Sequence, residues 1–238
     1  MPALSLTSVT HAYAPGTAPV LDSVDLTIED GEFMCVLGAS GSGKSTLLNL
    51  LAGLDRPVSG TVSLPDPRPA LMFQEHALFP WLTAGANVVL ALRLRGVPKP
   101  LWRAEAERLL TLVRLPDAYA LPVHALSGGM RQRVALARSL AQGGSVLLMD
   151  EPFAALDAIT RDVLHDVLTE VWLEHRLTVV FVTHNVSEAV RLGTRIILLA
   201  SRPGRIAHEW RGNTPGADTA TITGLLRKEI GRHARSNP

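Results

Sequence analysis

Residues 38–46 read GASGSGKST, directly after the apolar run FMCVL and directly before the apolar helical pattern STLLNLLAGL. Few nine-residue stretches restrict a fold as much. The segment matches G-x-x-x-x-G-K-[ST] in the strand–loop–helix setting that this motif requires. Glycines let successive backbone N–H groups curl round phosphate oxygens, and the following helix adds its unpaired amides and dipole. The expected seat therefore comprises Gly38, Ala39, Ser40, Gly41, Ser42, Gly43, Lys44, Ser45 and Thr46. Lys44 would reach the β- and γ-phosphates of ATP or GTP, and Ser45 would ligate Mg2+. The plainer alternative is a flexible turn before a helix, which the flanking pattern disfavours.

A strand feeding a helix across such a loop predicts an α/β domain, and the rest of the chain agrees. Short β-like runs at 4–9, 20–28, 33–37, 70–73, 146–150, 178–183 and 195–200 alternate with helical patterns at 44–54, 128–142, 157–175 and 186–192. The later runs are almost continuously apolar, as parallel strands buried on both faces should be. Residues 63–70, SLPDPRPA, carry proline at every second position and read as an extended connection. Between about 80 and 126 no strand alternation stands out, and helical candidates at 84–95 and 100–113 predict a helical insertion. The tail beyond about 211 is weakly helical around Leu225, Leu226 and Ile230.

Composition narrows the class further. Hydrophobic residues are 47% of the 238, enough for a sizeable core. Lys+Arg 23 against Asp+Glu 22 leaves a net charge of +1, which offers no support for a general nucleic-acid binder. The longest apolar runs stop well short of the roughly 20 residues of a membrane-crossing helix. No basic-then-apolar leader opens the sequence, so the expected setting is cytosolic. The single cysteine, Cys35, lies inside an apolar run and is expected to be buried and inert.

VLLMDEP, at 146–152, is a buried-strand pattern ending in two carboxylates. Asp150 is placed to hold Mg2+ through its water shell, and Glu151 to take a proton from water attacking the γ-phosphate. A strand end that merely reaches solvent would carry acids too. The phosphate loop decides between the two.

LSGGM, at 126–130, opens the helical pattern VALARSLAQ. Ser127 is a good N-cap, yet Gly128 and Gly129 each cost roughly 1 kcal/mol against alanine inside a helix. A helix that starts so weakly suggests a ligand approaching bare backbone amides.

Together these segments resemble the nucleotide-binding subunit of an ABC transporter over about residues 4–210. LSGGM is similar to that family's signature sequence, Gln74 to its Q-loop glutamine, Ala155-Leu156-Asp157 to its D-loop and His184 to its switch histidine. Tyr13 falls where the family often sets an aromatic against adenine. The resemblance implies a P-loop ABC cassette with a mainly parallel core sheet, an N-terminal antiparallel β portion and an inserted helical subdomain. The implied division is one domain over 1–238, with a core of 1–76 and 143–210, a helical subdomain over about 77–142 and a tail over about 211–238. Gln74 would contact Mg2+ and water, and His184 would sense the γ-phosphate. Ser127, Gly128, Gly129 and Asp157 would meet the ATP of a second copy, or of a homologous ATPase, arranged head to tail. Structural alternatives stand beside these roles. Asp157 could be an N-cap alone, Asn185 and Glu188 form a capping-box pair next to His184, and Tyr13 could be packing. Two departures are Met130, where glutamine is commonest, and Ala154-Ala155 before the Leu-Asp step; both bear on hydrogen bonding across the subunit boundary.

FQEHALFPWLT (73–83), DEPFAALDAITR (150–161) and SRPGRI (201–206) resemble the nitrate/sulfonate/taurine branch of bacterial importers. That branch implies an integral-membrane permease seated near Phe79, Pro80 and Trp81, a place that a local hydrophobic cluster would also explain. It also implies an extracytoplasmic solute-binding protein as an indirect partner, no nucleic acid, and a peripheral position on the cytoplasmic face of the inner membrane. Two rivals remain at this level. A soluble cassette acting on ribosomes or DNA is opposed by the single cassette, the missing heptads and the neutral charge. An exporter ATPase shares the catalytic motifs, and only the Phe-Pro-Trp segment and 201–206 argue against it.

Overall fold

The computed structural model describes residues 2–14, 16–74, 77–212 and 218–235. The expected core–subdomain boundary at 76/77 touches Glu75 and His76, which lie outside the described residues, as do 213–217 and 236–238 of the tail.

Six strands form the main sheet in the order β5 (Ala70–Met72), β6 (Val146–Asp150), β7 (Thr178–Val182), β3 (Phe33–Gly38), β8 (Arg195–Leu199) and β9 (Ile206–Arg211). The first five run parallel and β9 closes the edge antiparallel. β3, β7 and β8 are buried at every position, which is why their sequences read as unbroken apolar runs. Alternation along β3 then divides the core. Phe33, Cys35 and Leu37 face one apolar cluster, while Met34 and Val36 face the other. Burial pushes the Cys35 thiol far up, leaving it an inert filler.

The second cluster lies between the main sheet, α1 (Lys44–Leu51) and a small antiparallel sheet ordered β2 (Leu21–Glu29), β1 (Pro2–His11), β4 (Ser59–Ser63). The first cluster takes α2 (Ala84–Leu94), α3 (Trp102–Leu112), α4 (Gly128–Ala141), α5 (Ala158–His175) and α6 (Val186–Leu192). α2, α3 and α4 pack on one another through Ala84, Val88, Leu92, Leu109, Leu110, Val134 and Leu136. α7 (Thr219–Arg235) docks on α6 and β3 with Ile222 and Leu226 buried. Two strands depart from expectation. β4 is exposed at most positions, and β9 buries only Trp210, so neither carries the apolar signal that marks a central strand.

Candidate functional site

The phosphate loop leaves β3 at its C-terminal end and enters α1 through left-handed glycines, Gly41 at φ +75° and Gly43 at φ +93°. Gly43 offers α1 no side-chain cap, so the first-turn N–H groups stay open to an outside acceptor. Gly38 is required for a different reason: a Cβ there would lie 2.5 Å from Ser42 Oγ and 2.9 Å from Leu199 O. Lys44 is buried, and its Nζ donates to the Gly38 and Ala39 carbonyls, both at 3.0 Å. Burial holds its pKa below the usual lysine value, with Glu151 and Asp150 opposing that shift.

Parallel neighbours β6 and β7 deliver the acids and the histidine beside that loop. Asp150 ends β6 half-buried; burial raises its pKa, while a hydrogen bond with Ser45 works the other way. Glu151 sits at φ +43°, its N–H bonded to Val182 O at 3.0 Å. That conformation is unfavourable for a non-glycine residue, and it turns the carboxylate into the site. Glu151 Oε2 meets His184 Nδ1 at 2.8 Å, and Oε1 lies 3.8 Å from Lys44 Nζ. Tyr13, Ser40, Gly41, Gly43, Lys44, Ser45, Thr46, Gln74, Asp150, Glu151 and His184 line one open cleft of about 640 Å³. The Tyr13 and Thr46 hydroxyls share a hydrogen bond at 2.7 Å.

Acidic strand ends invite the question of a metal. Among the described residues no three His, Cys, Asp or Glu side chains form a metal-holding group. Mg2+ does not need one. It usually takes one or two protein oxygens, phosphate oxygens and water. The paired Ser45 hydroxyl and Asp150 carboxylate, opening onto the cleft next to the phosphate loop, fit that donor set.

The remaining predicted residues lie elsewhere. Ser127 caps α4, its side chain accepting from Met130 N at 3.2 Å, and Ser127 and Gly128 are exposed outside the cleft lining. Asp157 is exposed and caps α5, accepting from Thr160 N at 2.9 Å; that bond lowers its pKa. The capping role raised as an alternative for Asp157 is therefore real. The capping box at α6 is only half formed. Asn185 accepts from Ser187 N and Glu188 N, but the Asn185 N–H donates to Thr183 Oγ1, and Glu188 turns inward.

Sequence reasoning also missed residues that hold the site from behind. Buried Gln132 donates to the Pro152 carbonyl, tying α4 to the residue after Glu151. Its only sequence signal was a polar residue among the apolar positions of α4. Gly204 donates to Val20 O at 2.8 Å, and a Cβ there would lie 2.5 Å from Ser42 O, so the 201–206 loop buttresses the phosphate loop.

Comparison with known proteins identifies the family. The ABC transporter family model matches residues 21–154. The aliphatic sulfonates import ATP-binding protein of Bacillus licheniformis is 44% identical, over 85% of this chain and 82% of that protein. The nitrate import ATP-binding protein of Synechocystis is 44% identical over 84% and 78%, and the taurine import ATP-binding protein of Chromobacterium violaceum 45% over 89% and 84%. Among solved structures, the dimeric bacterial ABC transporter cassette MJ0796 superposes with a TM-score of 0.77 at 34% identity, covering 89% of this chain and 100% of that one. The same cassette has been solved as a dimer in a post-hydrolysis state with ADP and Pi, with a TM-score of 0.76 at 32% identity, covering 89% of this chain and 100% of that one.

Proposed function

The chain belongs to the ABC transporter family of ATP-binding cassettes, and from that premise we propose that it is the ATPase of a bacterial importer, powering uptake of a small anionic or sulfonate-type solute through a separate permease. The observation that carries the chemistry is the convergence of Lys44, Asp150, Glu151 and His184 on one cleft. Lys44 Nζ exchanges its two loop carbonyls for β- and γ-phosphate oxygens, without leaving its buried position. Asp150 and Ser45, with Gln74 at the rim, hold Mg2+, which when bound neutralises charge on the phosphates. Water attacks the γ-phosphorus, the bond to the β–γ bridging oxygen breaks, and Glu151 takes the water's proton. His184, held through Nδ1 by Glu151 at 2.8 Å, is the group that senses the γ-phosphate.

The signature segment completes the site in trans. Ser127 and Gly128 are exposed and outside their own cleft, as is Asp157, and a helix start is a ready anion seat. The partner is a second copy or a homologous ATPase, head to tail. We assign 1–76 and 143–210 to the nucleotide core, 77–142 to a helical subdomain and 211–238 to a short tail. Between core and subdomain runs a groove of about 590 Å³ lined by Leu54, Leu71, Phe73, Phe79 and Leu94 among others. Beside it Trp81 is 76% exposed, its ring 5.5 Å from that of Phe79. An apolar patch of this kind marks an interaction surface, and the permease is its occupant. No helix among the described residues is long and apolar enough to cross a membrane. The permease therefore anchors the chain, peripherally, on the cytoplasmic face, with a solute-binding protein acting from the other side.

The test uses the chain assembled with its permease. Glu151→Gln should bind Mg-ATP normally, lower hydrolysis by about 100-fold or more and accumulate as an ATP-bound dimer. Hydrolysis at the wild-type rate would remove Glu151 from its role, and solute uptake unaffected by the loss of hydrolysis would remove the importer reading.

A further inference from the structure

Behind the switch histidine lies a buried polar cluster that the reaction above does not use. Glu188 on α6 is 6% exposed, and His165 on α5 is 3% exposed. Glu188 Oε2 accepts a hydrogen bond from Thr183 Oγ1 at 2.5 Å. Its Oε1 lies 3.4 Å from Arg161 Nε and 3.6 Å from His165 Nε2. The Thr183 hydroxyl oxygen accepts the Asn185 N–H at 3.0 Å, and the Thr183 N–H donates to Val36 O on β3 at 3.2 Å. One carboxylate thus fixes, through a single hydroxyl, the residues on both sides of His184. From its other face the cluster reaches the turn at 156–157. Arg161 Nη2 donates to the Leu156 carbonyl at 2.8 Å, immediately before Asp157. His165 stands edge-on to Phe153, centroids 5.4 Å apart, and Phe153 is two residues beyond Glu151.

A buried carboxylate is retained at a cost unless its neighbours satisfy it, and helix α6 already has its N-cap in Asn185. We infer that Glu188 is a positioning residue for ATP hydrolysis: through Thr183 it fixes the segment carrying His184, and through Arg161 it ties that segment to the turn at 156–157. The inference rests on the ATPase reading above. Burial works to raise the Glu188 pKa, but His165, Thr183 and Arg161 outweigh it and hold the group ionised. In the head-to-tail arrangement proposed above, exposed Asp157 would meet the other copy, so the tie would run from the dimer surface to the histidine at the γ-phosphate. Neither Glu188 nor Arg161 lines the cleft. Their loss should therefore act on the chemical step and spare nucleotide binding.

The experiment measures steady-state ATP hydrolysis by the full-length chain with Mg-ATP, for Glu188→Ala, Glu188→Gln and Thr183→Val, each also combined with His184→Ala. Glu188→Ala and Thr183→Val should each lower kcat about tenfold while KM stays within about twofold. Glu188→Gln should restore most of that rate, because its amide oxygen still accepts from Thr183. On the His184→Ala background the same changes should cost less than about twofold more, since residues acting through one group are not additive. Losses that multiply on that background, or a rise in KM with kcat unchanged, would overturn the inference and leave Glu188 a packing residue. Should Glu188→Ala fail to fold, Thr183→Val carries the same test, because it deletes only the relaying hydroxyl. An active wild type beside unaffected variants refutes this inference alone, whereas a wild type without hydrolysis refutes the ATPase reading beneath it.

Discussion

Helix α1 starts at Lys44 behind Gly43, and helix α4 starts at Gly128 behind Ser127, so each begins among glycines, yet the two starts are built differently. In the phosphate loop Gly41 and Gly43 supply left-handed backbone, and the residues they place line the cleft with Lys44 among them. At α4 Ser127 caps the helix with its own side chain. There Gly129 is needed for close packing, since a Cβ would lie 2.3 Å from Thr160 Cγ2, whereas a Cβ on Gly128 would meet nothing within 4 Å. Glycine thus serves backbone conformation in one place and a tight helix contact in the second, and in the third it borders open space. The phosphate half gathers on one cleft of the chain, whereas Ser127 and Gly128 of the signature half are exposed outside it, where we propose that a second copy meets them.

The largest effect should come from placing one lesion in each half. Pair a chain carrying Lys44→Ala with one carrying Ser127→Arg, and count ATP occluded per mixed dimer. If the signature acts in trans, both lesions fall in the same site, and the other site keeps an intact Lys44 and an intact Ser127. One tightly held nucleotide per dimer is then expected. If it acted in cis, every site would carry a lesion. Lys44→Ala removes the cation that would meet the β- and γ-phosphates, and Ser127→Arg blocks the anion seat by bulk. No occluded nucleotide in a folded mixed dimer would break the comparison outright.

A smaller effect separates the two glycines of α4. Gly129→Ala must displace Thr160, whose N–H is bonded to Asp157, and overpacking of that kind costs about 1–3 kcal/mol. Gly128→Ala has free space and a helical backbone, so stability should stay level or rise by up to about 1 kcal/mol. Denaturant unfolding of each full-length variant checks this. Equal destabilisation would mean that the two positions do the same job.

Legibility in the sequence tracked how local each signal is. β3, β6, β7 and β8 announced themselves because parallel strands buried on both faces have no polar side to show. Most residues of the cleft lie inside a short motif; Val20, which also lines it, carries no such signal. β4 and β9 escaped because edge strands half in solvent carry no such run; in β4 only Val62 is even half-buried. The sequence around Gly129 suggests an approach to a ligand, but its packing role depends on Thr160, a neighbour far along the chain. The spacing of Glu188 to Asn185 suggests a capping acid. Glu188 accepts instead from Thr183 Oγ1 and lies against Arg161 and His165, and these last two come from a different helix to which no local pattern points. Gly204 is hidden in the same way, because its contact with Ser42 joins two distant loops.

The smallest effect tests how self-sufficient the phosphate half is. Tyr13 is 68% exposed at the rim, its hydroxyl bonded to Thr46 and its ring edge-on to His11 at 5.3 Å. An exposed ring face at that place suits stacking on adenine, while the hydroxyl merely sets the ring's position over α1. Stacking of an aromatic on a base contributes on the order of 1 kcal/mol or more, about a fivefold change in affinity. Tyr13→Ala should therefore raise the Kd for ATP about fivefold, and Tyr13→Phe by less than about threefold, since the ring survives the loss of one exposed hydrogen bond. Inorganic triphosphate supplies the control, because it fills the phosphate seat and carries no base. Its Kd should be the same for Tyr13→Ala and for the wild type. If triphosphate binding falls as far as ATP binding, Tyr13 acts by holding Thr46 in the first turn of α1. The aromatic would then belong to the phosphate loop, and the adenine would be held by something else.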